Sequence, residues 1–266
     1  MARTIDPLDV VLPTPDAARP QVRRIGVADL RAALRAGVDD FRQMPTHLIL
    51  LVLIYPVMGF ILARWSYGAE LLPLIFPLVS GFALVGPFAA VGLYELSRRR
   101  EAGHPTTWRD AFGVFRSPQA LTIGVLGGIL LAILVAWLFA AIAIHGAIFG
   151  DSGASSPEAF ARQVLTTPEG WTLILVGNAV GFGFAAVTLA VSAVSFPLAL
   201  DRAVDPLTAI RTSVAAIIKN PVTMALWGAV VGVGLLLGAL PFFTGLAVVM
   251  PILGHATWHL YRRVVV

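Results

Sequence analysis

Long apolar stretches alternate with short polar segments along the whole chain. A run of about 20 apolar residues can cross the hydrocarbon core of a bilayer as an α-helix. The pattern predicts six transmembrane spans, at residues 46–63, 71–96, 119–149, 171–200, 222–239 and 242–261. Within the second span, Pro73, Pro77 and Pro87 predict a kinked or broken helix, which neighbouring helices can tolerate in a bundle.

Amphipathic segments precede the odd-numbered spans. Between residues 27 and 41 the apolar residues recur at helical spacing and charged residues fill the other face, which predicts a helix in the membrane interface. Residues 107–110 begin the second segment with a capping-box pattern, and residues 205–219 form the third. Each segment ends at a basic residue shortly before a proline, so we expect the helix to lead into a span at Pro45, Pro118 and Pro221.

This recurrence predicts a threefold internal repeat, each unit being one interfacial helix and one hairpin of two spans. The predicted fold is an all-α polytopic membrane protein with six transmembrane helices arranged as three hairpins. Prolines before spans and arginines after them are also common in membrane proteins without repeats, so the repeat is a hypothesis. Residues 1–24, rich in proline and charge, predict a mobile cytoplasmic tail, and residues 25–266 a single six-helix membrane domain.

Composition and charge agree with a membrane protein. Hydrophobic residues make up 58% of the chain and charged residues 13%, against about 25% charged residues in soluble domains. On the six-span topology, 17 of the 19 Lys and Arg residues lie on one side, which predicts a bacterial inner-membrane protein with both termini in the cytoplasm. Because these charges flank apolar spans, we expect contact with anionic lipids and none with nucleic acid.

Candidate chemistry is sparse. The predicted spans carry no ionisable residue near their middles and no familiar catalytic motif, so no catalytic residue and no enzyme activity are predicted. Asn178 is the polar side chain expected to be buried in the fourth span. The absence of cysteine excludes disulfides and thiolate metal sites.

His255 and His259 are the strongest candidates for a cofactor site. Their i, i+4 spacing places them on one helix face, where they could bind a metal or flank a haem b. Neighbouring aromatic and basic residues favour an interfacial belt instead, and both interpretations stay open. The residues predicted to anchor the spans at the interface are Tyr94, Arg98, Arg99, Trp258, Arg262 and Arg263.

Glycines four residues apart recur in the spans and allow close approach of helix backbones. Their predicted role is packing inside the bundle, and the alternative is a dedicated dimerisation face. The pairs are Gly124 with Gly128, Gly177 with Gly181, Gly228 with Gly232, and Gly234 with Gly238.

Three separated segments resemble a known bacterial family. Residues 86–99, residues 205–227 and residues 254–262 look like signature segments of predicted integral membrane proteins with a domain of unknown function, some labelled cytochrome c oxidase subunit I. The resemblance covers about residues 25–265 and implies a cell-envelope membrane protein. A catalytic oxidase subunit would need about six histidines within its spans to hold two haems and a copper ion, and this chain has 5 in total. The label can therefore imply association with an oxidase but not catalysis.

Two functional hypotheses from different classes follow. The leading one is a non-catalytic protein that binds another membrane protein, as an accessory or assembly subunit of a respiratory complex such as a terminal oxidase. The alternative is a transporter or pore for a small or apolar solute, and a water-accessible cavity near Asn178 and the proline-broken second and sixth spans would favour it. Haem or metal binding by His255 and His259 is a further alternative.

Overall fold

Helices dominate the described part of the chain. The computed structural model describes residues 20–44, 76–150 and 156–266, except residues 79, 82 and 242. Short 3-10 helices occur at Ala83–Val85 and Trp108–Arg116. The α-helices of these ranges are α1 (Val27–Gln43), α2 (Gly86–Ala89), α3 (Val91–Glu101), α4 (Ala120–Phe149), α5 (Pro157–Thr166), α6 (Pro168–Ser192), α7 (Ser195–Asp201), α8 (Pro206–Lys219), α9 (Pro221–Ala239) and α10 (Leu246–Val264).

Four helical segments of the described residues are long and apolar enough to cross a membrane. They are Phe76–Glu101, Ala120–Phe149, Pro168–Asp201 and Pro221–Ala239, and they match the second to fifth predicted spans. Large apolar side chains point outward from them, as at Leu121, which is 79% exposed. Such a surface is stable in lipid and unstable in water.

The remaining topology is not confirmed. The first predicted span and Pro45 lie outside the described residues. Helix α10 occupies the place of the sixth predicted span but is not among the four membrane-crossing candidates, and the three-hairpin repeat stays a prediction. The loop before α10 contains Phe243 with a φ of 63°, so α10 begins four residues after the predicted start.

Prolines shape two of the crossing segments. The second predicted span is interrupted as expected: a 3-10 turn leads into α2 at Gly86, with Pro87 at its start, and α3 begins only at Val91. The fourth breaks between α6 and α7, where Pro197 lacks the amide proton that a continuous helix would need. There the Val194 amide donates instead to Ser213 Oγ at 3.2 Å.

The buried core lies at the end of the bundle where α7 sits. Every residue from Ser195 to Leu200 is buried, and α3, α4, α8 and α10 contact this helix. Two large rings, Trp227 and Trp258, are 1% exposed within the same cluster. Only 6–31% of the residues in the apolar windows of the four crossing segments are buried, so the tight packing is concentrated around α7, at the end of the fourth segment.

Helix α1 runs antiparallel along α10. An antiparallel bridge joins Val22 to Val265, so residues 20–24, at the end of the predicted tail, pair with the C-terminus. The buried face of α1 is Leu30, Ala33, Gly37 and Asp40. This buried face is rotated about the helix axis relative to the apolar face predicted from the sequence. The reason is that α1 packs closely on α10 at small residues such as Gly37. Contact of α1 with the membrane interface stays a prediction.

Candidate functional site

A buried carboxylate joins three helices at the core end. The Asp40 cluster comprises Asp40 from α1, Ser97 and Arg100 from α3, and His255 and His259 from α10. Asp40 Oδ2 accepts from Ser97 Oγ at 2.5 Å and from His259 Nε2 at 2.8 Å. Arg100 donates to Asp40 Oδ1 and, at 2.7 Å, to Asp39 Oδ2. Asp40 is 2% exposed, Ser97 1% and His255 0%.

Proton positions in the cluster follow from the donors available. Ser97 Oγ lies 2.8 Å from His255 Nδ1. Because the single hydroxyl proton of Ser97 goes to Asp40, His255 Nδ1 donates to Ser97 Oγ. Burial opposes ionisation of Asp40, but hydrogen bonds from His259 and Ser97 outweigh it and hold the pKa of Asp40 below its ordinary value.

Local sequence explains how each element presents its residues. His255 and His259 are four residues apart on α10, so they share one face, as predicted. Ser97 and Arg100 are three apart on α3. Asp40 continues the buried series of α1 at helical spacing. Sequence reasoning missed Asp40, although a carboxylate in phase with Leu30, Ala33 and Gly37 is a detectable signal.

The geometry of the Asp40 cluster favours a structural role, in which its hydrogen bonds join α1, α3 and α10. It contains the residue types of a hydrolase triad, but a triad places histidine between serine and carboxylate. Here Ser97 stands between His255 and Asp40, and its hydroxyl is enclosed. No group of three His, Cys, Asp or Glu side chains within the described ranges is arranged to hold a metal ion. Haem or metal binding at His255 and His259 stays a prediction, as does their place in a belt.

Several predicted anchor residues make internal contacts. Tyr94 and Trp258 are 2% and 1% exposed, so neither ring reaches the surface of the described chain. Trp258 Nε1 donates to Glu101 Oε2 at 2.9 Å, and Arg262 pairs with Glu101 Oε1 at 3.1 Å. Further ion pairs join Arg98 to Glu95, Arg99 to Asp110, and Arg263 to Asp29. Their contact with lipid headgroups stays a prediction.

A cavity of about 920 Å³ lies between the membrane-crossing helices. It falls within the range of about 300–1,000 Å³ typical of small-molecule sites. The lining is largely apolar, with the rings of Trp137, Phe182 and Trp227 among it, and no charged side chain from the described residues lines it. The broken segment around Pro87 forms part of the wall. We call this space the inter-helix cavity.

Glycines open the walls of the inter-helix cavity. Gly177 on α6 and Gly232 on α9 both line it, and no described atom lies within 4 Å of a Cβ placed on either. Their predicted partners behave differently: Gly181 packs against Trp137, and Gly228 packs against Leu189. In each of these two pairs, one glycine therefore serves helix packing and the other leaves space in the cavity wall.

Asn178 differs from the prediction of burial. Its side chain is exposed within the chain and lines the inter-helix cavity. Its Nδ2 donates to the Ile174 carbonyl one turn earlier at 2.7 Å, so the polar group is partly satisfied on its own helix. Of the predicted helix-to-span junctions, Pro221 is the first residue of α9, and Pro118 comes just before α4.

A family match covers the centre of this arrangement. Residues 75–201 match the family model described as "Predicted integral membrane protein (DUF2189)". The match runs from the broken second segment to the end of α7, and it supports the resemblance to membrane proteins of unknown function. The oxidase label is not shown by it. The chain is an integral membrane protein in contact with the lipid bilayer. No curated protein and no solved structure is significantly similar to it.

Proposed function

We propose that this membrane protein binds a small apolar solute in the inter-helix cavity and acts as a carrier or transporter for it. The observation that carries the proposal is the cavity itself, because Asn178 and the Pro87 break line it. These are the two features at which the sequence predicts a solute path. An uncharged, ring-lined space of this size favours an apolar molecule, since an ion would lose its hydration without compensation.

Native mass spectrometry of protein purified from its own membrane tests this function. We expect an adduct of apolar character on the wild type. Gly177→Leu and Gly232→Leu place side chains in open space of the cavity, so both should fold normally and lose the adduct. Gly124→Leu is the matched control, because its Cβ also meets open space but does not line the cavity. A wild type without adduct, or an adduct that survives both cavity variants, would refute the proposal.

An accessory role in a respiratory complex, such as cytochrome c oxidase, is the second candidate. One face of α4 favours it: no described atom lies within 4 Å of a Cβ on Gly124 or Gly128, although Gly127 packs against Phe88. The open pair suits a partner helix, since small residues permit close approach in lipid. Co-purification from native membrane tests it. Gly128→Leu should release the partner and Gly232→Leu should not.

The membrane topology of the chain is part of what we propose. The distribution of basic residues favours a bacterial inner-membrane protein with six spans and cytoplasmic termini. Because the chain has no cysteine, single cysteines can be introduced and labelled from either side of the membrane. Labelling of a cysteine at position 104 from the cytoplasmic side alone is the expected result, and labelling from outside would contradict this orientation.

A further inference from the structure

The inter-helix cavity is not uniformly apolar. Hydroxyl groups gather at the end where α6 meets α7, on Thr188 and Ser192 of α6 and on Thr257 of α10. The opposite end, at Gly177, is about 16 Å away along α6 at 1.5 Å per residue. The cavity therefore has a hydroxyl-lined end and a largely apolar middle. At the other end the Asn178 amide lines it, with its Nδ2 bonded to Ile174 O of its own helix.

Among the hydroxyls at this end, that of Thr188 stands out. Thr188 is 6% exposed, and its Oγ1 is buried and has no hydrogen-bond partner among the residues that the structure describes. Its neighbours are satisfied by helix carbonyls: Ser192 Oγ donates to Thr188 O at 2.6 Å, and Thr257 Oγ1 donates to Leu253 O at 2.7 Å. A buried polar group without a partner destabilises a fold. Thr188 lines the cavity, so rotation of its side chain to another rotamer would present the buried hydroxyl to a ligand atom there.

We propose that the ligand of the inter-helix cavity is an uncharged amphiphile with a single hydrocarbon chain. Its hydroxyl or carbonyl oxygen pairs with Thr188 Oγ1, and its chain lies along α6 and α9 towards Gly177 and Gly232. The inference rests on the proposed function and adds the class of ligand and its direction. An anionic or cationic head would find no countercharge in the described lining, and an alkane would leave Thr188 unpaired.

Three compounds with equal chains test the head group: 1-hexadecanol, hexadecane and palmitate, titrated into the purified full-length protein and counted by native mass spectrometry. We expect the wild type to bind hexadecanol most tightly. Thr188→Val is nearly isosteric and should weaken hexadecanol binding about tenfold, the usual effect of one lost hydrogen bond. It should leave hexadecane binding unchanged. Thr188→Ser keeps the hydroxyl and should restore hexadecanol binding.

The matched control is Thr172→Val on the same helix. Thr172 is exposed, its hydroxyl donates to Pro168 O at 2.9 Å, and it does not line the cavity. The Thr172→Val protein should bind hexadecanol like the wild type.

The outcomes separate the two proposals. If Gly232→Leu abolishes binding but Thr188→Val binds all three compounds like the wild type, the apolar site stands and the head assignment fails. Tightest binding of palmitate would likewise overturn the uncharged head. If no compound binds, or if Gly232→Leu binds normally, both proposals fail.

Discussion

Replacing Gly37 by alanine tests the contact between α1 and α10. A Cβ at Gly37 would lie 2.6 Å from Ala256 N and 2.7 Å from both Ala256 Cβ and Ile252 O. Ordinary contacts begin at about 3.5 Å. Two of these three atoms, Ala256 N and Ile252 O, are backbone atoms and cannot rotate away. The helices must therefore separate by about 1 Å, and the Asp40–His259 hydrogen bond, one turn away at 2.8 Å, must lengthen.

The expected magnitude follows from two opposing effects. Overpacking costs about 1–3 kcal/mol, and alanine stabilises a helix by about 1 kcal/mol relative to glycine. Gly124→Ala on α4 carries only the favourable effect, because no described atom lies within 4 Å of its Cβ. In the comparison of the two variants the propensity effect cancels. At about 2–4 °C per kcal/mol, Gly37→Ala should melt about 2–12 °C below Gly124→Ala.

Thermal unfolding in dodecyl maltoside, followed by tryptophan fluorescence, measures this difference. The chain contains 6 tryptophans, and Trp258 on α10 is buried in the core near the contact. Gly37→Ala should melt at a lower temperature than the Gly124→Ala control. The contacts of the Asp40 cluster should also be lost at a lower temperature in Gly37→Ala. Equal melting temperatures for the two variants would refute the close packing of α1 on α10.

Two further predictions use the same assay. Asp40→Asn should destabilise the protein at pH 7 by about 3–5 kcal/mol, because Arg100 and His259 lose a buried anionic partner. Since the pKa of Asp40 is lowered in the fold, the stability that it contributes is present above its unfolded pKa of about 3.9 and is lost as pH falls through the lower folded value. The difference between wild type and Asp40→Asn should shrink below about pH 4, and a constant difference down to pH 3 would contradict this linkage. Asp205→Ala should cost about 1 kcal/mol, because the Asp205 side chain caps α8 by accepting from Thr208 N. Asp205→Ser keeps a capping oxygen and should melt like the wild type; a loss equal to that of alanine would rule out the cap.

Local features of the sequence predicted local structure well. The apolar run predicted at residues 119–149 is α4, Ala120–Phe149. Thr107 opens a helix with a capping box, as predicted. Helix ends and membrane-crossing lengths depend on neighbours in the chain and on the thickness of the bilayer. Both are readable without tertiary contacts.

Partners from distant parts of the chain could not be predicted in the same way. The spacing of His255 and His259 indicated one shared face, but Asp40 is 219 residues before His259, and no spacing rule connects them. The surroundings of Asn178 also depend on the tertiary structure. A polar residue near a span centre usually faces the bundle interior or a cavity, but only the packing of α6 against its neighbours shows which space this side chain lines.

The sequence by itself determined that the chain is an all-helical membrane protein, because the lipid solvent demands long apolar helices with their backbone groups satisfied internally. It also located both ends of α1, α4, α8 and α9 to within about two residues. Only the tertiary structure decided that His259 bonds a buried carboxylate on α1, to which His255 is linked through Ser97. It also decided that the crossing helices border a cavity whose described lining has no charged side chain and includes Thr188, a residue whose hydroxyl has no described partner. Both features arise from how helices distant in sequence approach one another. Gly37 allows the close approach of α1 to α10, and Gly232 leaves space in the wall of the cavity.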